Sequence, residues 1–126
     1  MLDKRLQKIE DLRSNRQIKI EGIAKELGLE QMTIYNWLRE IVIPSEFKIV
    51  AIDALLFNDN SKEICDLADR LNFDVISRIP QLVKLISDNV GISKIALENC
   101  NLKRVHRIAI AKFIFELIQT LNINNE

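Results

Sequence analysis

Glycine, proline, cysteine and histidine are all scarce in this chain, and each shortage removes a class of function. Three glycines and two prolines in 126 residues leave no loop to cradle a phosphate, and no P-loop, G-x-G-x-x-G, G-x-S-x-G or H-E-x-x-H pattern occurs. Cys65 and Cys100 form no C-x-x-C pair, and His106 is the sole histidine. That pattern argues against zinc ligation and for free, buried thiols in a reducing cytoplasm. The start M-L-D-K-R-L-Q-K lacks the apolar core of a signal peptide, and no stretch of 18 apolar residues occurs, so a soluble, cytoplasmic protein without a membrane span is expected. The carboxylates lie scattered among lysines and arginines, where solvation and i, i+4 pairing account for them. His106 sits among basic residues, a poor place for a general base, and is read as a surface or phosphate-facing group. No enzyme activity, cofactor or metal is expected. An excess of one charge is missing too: 18 basic side chains face 18 acidic ones, a balance that disfavours indiscriminate coating of nucleic acid, which depends on neutralising phosphates.

The chain is rich in apolar periodicity instead. With 48% hydrophobic residues, abundant Leu, Ile, Lys and Glu and no alternating strand pattern, the fold class predicted is all-α. Leu2, Leu6, Ile9 and Leu12 mark a first amphipathic helix over 2–13, with a turn at Ser14, Asn15 and Arg16. Helices follow over about 20–27 and 31–40, then a loop through Ile43 and Pro44. Ser45 is placed to cap a fourth helix ending at Phe57. Asn58, Asp59 and Asn60 form a turn-prone boundary, so residues 1–58 and 61–126 are read as two units. Asn60 and Glu63 resemble a capping box before a fifth helix carrying Ile64, Leu67, Ala68 and Leu71. Pro80 suits the first turn of a helix through Ser87, and a last helix runs over about 102–121.

The decisive stretch is I-A-K-E-L-G-L-E-Q-M-T-I-Y-N-W, residues 23–37. Ile23, Leu27, Leu29, Ile34 and Trp37 fit two short helices crossing over a shared core, with Ala24 where the backbones approach. Gly28 stands where the first helix stops and a positive φ is often required. That is a helix-turn-helix. Gln31, Met32, Tyr35, Asn36 and Arg39 fall on the side of the second helix opposite Ile34 and Trp37, a face able to enter a major groove.

With these residues the chain resembles the phage-repressor type of helix-turn-helix regulator, the group of Cro and lambda repressor. The resemblance covers roughly residues 2–57, because W-L-R-E-I-V-I-P-S-E-F-K-I-V-A-I-D-A-L-L looks like the loop, proline and helix that follow the reading helix in that family. It implies that Gln31, Met32, Tyr35 and Asn36 approach base edges, and that Thr33 and Arg39 serve bases or backbone. Glu30 and Glu40 depart from the pattern, since acids bracketing a reading helix repel phosphate unless they point away or accept from cytosine.

A weaker copy follows. Ile86, Val90, Gly91, Ile92, Leu97 and Cys100 repeat the spacing of Ile23, Leu27, Gly28, Leu29, Ile34 and Trp37 at a constant offset of 63 residues, with Ser87 in place of Ala24. The second unit is therefore read as a degenerate second helix-turn-helix. Its reading face would carry Ser93, Lys94, Ala96 and Asn99, followed by Lys103, Arg104, His106 and Arg107. From Ser93 to Lys112 five basic residues face Glu98 alone, so Lys94, Asn99, Lys103, Arg104 and Arg107 are candidates to grip flanking phosphates. Nine of the eleven residues from Ile108 to Ile118 are apolar, and a helix apolar on nearly all sides needs cover on nearly all sides. A homodimer built on Ile110, Phe113, Ile114, Leu117, Ile118 and Leu121 is expected, facing an inverted-repeat operator in double-stranded DNA. The function expected is a dimeric, sequence-specific transcriptional regulator, a repressor of a phage or plasmid by family resemblance. The rival expectations are a terminase-like or replication-initiator subunit, and a protein-interaction module such as an antitoxin or anti-repressor.

Overall fold

The computed structural model describes the backbone of residues 1–124 and the side chains of residues 1–122. Among the described residues the fold is all-α, with α1 (Lys4–Ser14), α2 (Ile20–Leu27), α3 (Gln31–Leu38), α4 (Glu46–Phe57), α5 (Ser61–Arg70), α6 (Phe73–Ile76), α7 (Pro80–Val90), α8 (Lys94–Glu98) and α9 (Arg104–Asn124). None of these helices is long and apolar enough to cross a membrane.

Each end has a local cause. The Asp3 carboxylate accepts the Arg5 N–H at 2.8 Å and starts α1, satisfying a donor that the first turn would otherwise leave open. The Arg5 guanidinium also reaches Glu46, binding the start of α1 to the start of α4. Gly28 ends α2 in the left-handed region at φ 71°, and the Leu29 N–H folds back to the Ala24 carbonyl at 2.8 Å. Pro80 occupies the first turn of α7, where no N–H is missed. Ser45 precedes α4, but its hydroxyl makes no capping bond, and neither does the Asn60 side chain at α5. The capping box expected at Asn60 and Glu63 does not form, because the turn is closed another way. The Asn58 side chain accepts the Asn60 N–H at 2.8 Å, and the Ser61 hydroxyl donates to the Leu55 carbonyl at 2.6 Å.

The α4 and α9 helices form the central pair and α5 lies against both; α1 and α2 flank α4 and carry α3, while α7 flanks α9 and carries α8. Ala51, Ala54, Ala109 and Ala111 are buried along this pair, small enough to let the helices approach while Ile52, Ile64, Ile108 and Ile110 fill the space beside them. One continuous core runs through both units. The apolar half of α9 from Val105 to Ala111 is covered by the chain's own helices. The expected dimer set is corrected at its first member: Ile110 is wholly buried within the chain and is no surface residue.

The 63-residue offset is visible in the backbone. Both α2 and α7 end on a left-handed glycine, Gly28 at φ 71° and Gly91 at φ 82°. Both α3 and α8 begin three residues later. Ile23 and Ile86, Ile20 and Val83, and Ile34 and Leu97 are buried pair by pair. The second connection is four residues shorter, so the offset falls to 59 for the helices that follow; Phe47 and His106, at matching places near the starts of α4 and α9, stack on each other with ring centroids 5.0 Å apart. Contact between equivalent residues is what two copies related by an approximate two-fold axis produce.

The copies part at the end of the second helix. The chain leaves α3 through Glu40 at φ 60° and leaves α8 through Cys100 at φ 54°, so α8 stops a turn earlier. Cys100 is therefore not the counterpart of Trp37: it lies past the helix end, half-buried, its sulfur 3.3 Å from the Phe73 carbonyl oxygen and from the Ser77 hydroxyl. A thiol lacks the volume to hold down the turn that an indole holds.

Candidate nucleic-acid interface

The α3 helix rests on Ile34 and Trp37, which are 0% and 2% exposed. That anchoring turns Gln31, Met32 and Arg39 outward as exposed side chains and leaves Thr33, Tyr35 and Asn36 half-buried at the edge of the same surface. The structure thus brings together the residues expected on the reading face. The Arg39 guanidinium stands over the Tyr35 ring at 5.2 Å, a cation–π contact that holds a cation above the helix without consuming its N–H donors.

The end of α1 lies beside this face. Arg13 pairs with Glu10, and its hydrogen bond holds the Glu10 carboxyl below the ordinary range, with Arg39 adding to the same field. Sequence reasoning missed Arg13, which belongs to another helix and has no place in the motif spacing. Of the two bracketing acids, Glu40 is turned to the Met1 amino group at 3.1 Å, whereas Glu30 stays exposed at the start of α3. Beyond α3 the loop exposes Ile41, Val42 and Ile43. Val42 and Ile43 border a groove of about 750 Å³ whose floor includes Leu6, Trp37 and Ile49.

The second basic cluster is divided. Lys94, Asn99 and Lys103 are exposed. Arg104 pairs with Glu26 from α2 and lies 3.5 Å from Asp69 of α5, and Arg107 stacks over Phe73 at 5.3 Å. The Arg104 guanidinium is engaged within the chain, so the expectation that the cluster reaches outward as a whole is corrected at Arg104; Arg107 is half-buried, and its cation–π contact leaves its N–H donors unused. At five residues against eight, α8 spans roughly 7 Å where α3 spans roughly 12 Å.

His106 is also corrected. Its ring is half-buried on Phe47, and Nδ1 accepts the Lys103 N–H at 3.2 Å, which caps the start of α9. Burial, reinforced by the Lys48 charge, lowers its pKa, and the capping bond requires an unprotonated Nδ1.

Comparison with protein-family models, with curated proteins and with solved structures finds no match to this chain.

Proposed function

We propose that the chain is a sequence-specific DNA-binding regulator whose α2–α3 pair acts as a helix-turn-helix of the phage-repressor type. A single observation carries the reading: the polar side chains Gln31 and Asn36, with Arg39 over Tyr35, stand on one side of a helix pinned from beneath by Ile34 and Trp37. Amide side chains suit the paired donor and acceptor of adenine in the major groove, and a guanidinium suits guanine. The mechanism is occupancy. A regulator bound over a promoter excludes polymerase without chemistry, in the cytoplasm where the DNA lies. The chain acts as a homodimer on an inverted repeat, through the surface that α9 leaves exposed at Leu117, Ile118 and Leu121.

Selection of bound duplexes from a random pool tests the reading, with an inverted repeat as the expected product. Replacing Gln31 and Asn36 together with alanine is expected to reduce discrimination roughly a hundredfold, at ~1–3 kcal/mol for each good base contact, with the thermal melt unchanged. Retained sequence preference in that variant excludes α3 as the reading element. The exposed Ile41–Ile43 loop favours a second reading, a protein-interaction module. Capture of a defined protein together with an empty duplex selection supports it.

A further inference from the structure

The two helix pairs differ in what they show to solvent. Where the first unit has Arg16, Lys19 and Gly22, the 63-residue offset gives Ile79, Leu82 and Leu85 in the second, all exposed. Lys19 and Gly22 line a groove beside Leu55 and Leu56 of α4. Matching α4 to α9 through Phe47 and His106 puts Ile114 and Phe115 in the place of Leu55 and Leu56, so this flank of α7 borders α9. From Ile114 the apolar stripe continues through Leu117, Ile118 and Leu121 at helical spacing. The α9 helix has 21 residues and its partner α4 has 12, a difference of roughly 13 Å at the α-helical rise. The stripe therefore runs past the helix that covers its beginning, and Leu82, Leu85, Leu117, Ile118 and Leu121 remain 36% to 52% exposed.

We propose that the α7 flank and the projecting end of α9 form one continuous docking surface for a second copy of this chain. The inference takes the dimer of the proposed function as its premise and places the contact on two helices of the second unit. Size is the first argument. The exposed parts of Ile79, Leu82, Leu85, Leu117, Ile118 and Leu121 amount to on the order of 450 Å² per chain, close to the apolar half of a standard interface of ~800 Å² per partner. Charge is the second. Lys84 is paired with Asp88 at 3.4 Å along α7, and just before that helix Arg78 is paired with Asp74 of α6 at 3.0 Å. The rim thus offers no net charge to a duplex or to a strongly charged partner, and a copy of itself meets no repulsion. The third argument is that none of these six apolar residues belongs to α3 or to the turn before it, so the contact makes no use of the reading face.

Sedimentation equilibrium of the full chain decides the matter. The wild type is expected to be a dimer at about 10 µM. Leu85→Lys and Leu121→Lys, each at an exposed position that accepts lysine without entering the core, should each weaken it at least roughly tenfold. Met32→Lys, at the register position of Ile95 on the first unit, should leave it unchanged. A wild type that stays monomeric at about 100 µM overturns the dimer itself. A dimer that Leu121→Lys abolishes and Leu85→Lys leaves intact overturns the two-helix surface alone.

Discussion

In the first unit α3 runs eight residues over Ile34 and Trp37, whereas in the second α8 runs five over Leu97. The turns before them are alike, each made by a left-handed glycine at the same register. The difference shows which parts of a helix pair are set by what. The turn follows from a residue free of a Cβ and from the apolar spacing around it, both retained in the second unit. The length of the second helix follows from a large anchor in its last turn, which only the first unit has. Surface chemistry has diverged furthest: where the first unit has Lys19 and Gly22, the flank of α7 exposes Leu82 and Leu85.

Substituting the anchors breaks this comparison most directly. Trp37→Ala is expected to cost ~3–5 kcal/mol as a large buried side chain is lost, and Cys100→Ala under about 1 kcal/mol, read from urea unfolding midpoints. Equal costs would mean that Cys100 does the work of Trp37 after all. The glycines sharpen the likeness. Gly28→Ala and Gly91→Ala should each cost about 1–2 kcal/mol from φ alone. A Cβ at Gly28 would meet the Arg104 backbone nitrogen at 3.5 Å, an ordinary contact, and one at Gly91 would meet nothing within 4 Å. Gly22, inside α2 with open space around it, is the contrast, and Gly22→Ala should add ~0.5–1 kcal/mol.

The junctions between the units give smaller effects. Arg104→Met removes ion pairs that are partly open to solvent, so a loss of ~0.5–1 kcal/mol, shrinking as salt is added, is expected in the same unfolding assay. His106 should give a shallow pH dependence. Its folded-state pKa lies below the unfolded one, so the unfolded chain takes up the proton first. Stability is then fully present above about 6.5 and declines as pH falls through that value. Thermal melts between pH 7 and pH 5 should show this decline, and His106→Phe, which keeps an aromatic ring on Phe47, should flatten it.

Much of the fold was legible because it rests on short-range rules. Apolar spacing placed α2 and α4 closely, and Gly28 and Gly91 marked the turns that end α2 and α7. Residues that depend on distant neighbours were not legible. Arg104 reads as a surface cation until Glu26 and Asp69 are brought beside it, and His106 reads as polar surface until Phe47 arrives beneath its ring. The short α6 helix escaped notice because four residues carry no periodicity; it is capped by the Asn72 side chain on the Val75 N–H at 3.2 Å.

From the amino-acid order alone came the all-helical class, the two glycine turns and the grouping of Gln31, Met32, Tyr35, Asn36 and Arg39 on one side of a helix. These depend on backbone geometry and on side-chain spacing over a few residues. Tertiary structure alone decided that Ile110 is covered from within, that Arg104 is held by Glu26 and Asp69, and that apolar side chains stay exposed on α7, on the end of α9 and in the loop after α3. The physical reason is that burial and pairing belong to contacts between residues far apart in the chain, and a helix's own periodicity shows which side is apolar without showing what covers it.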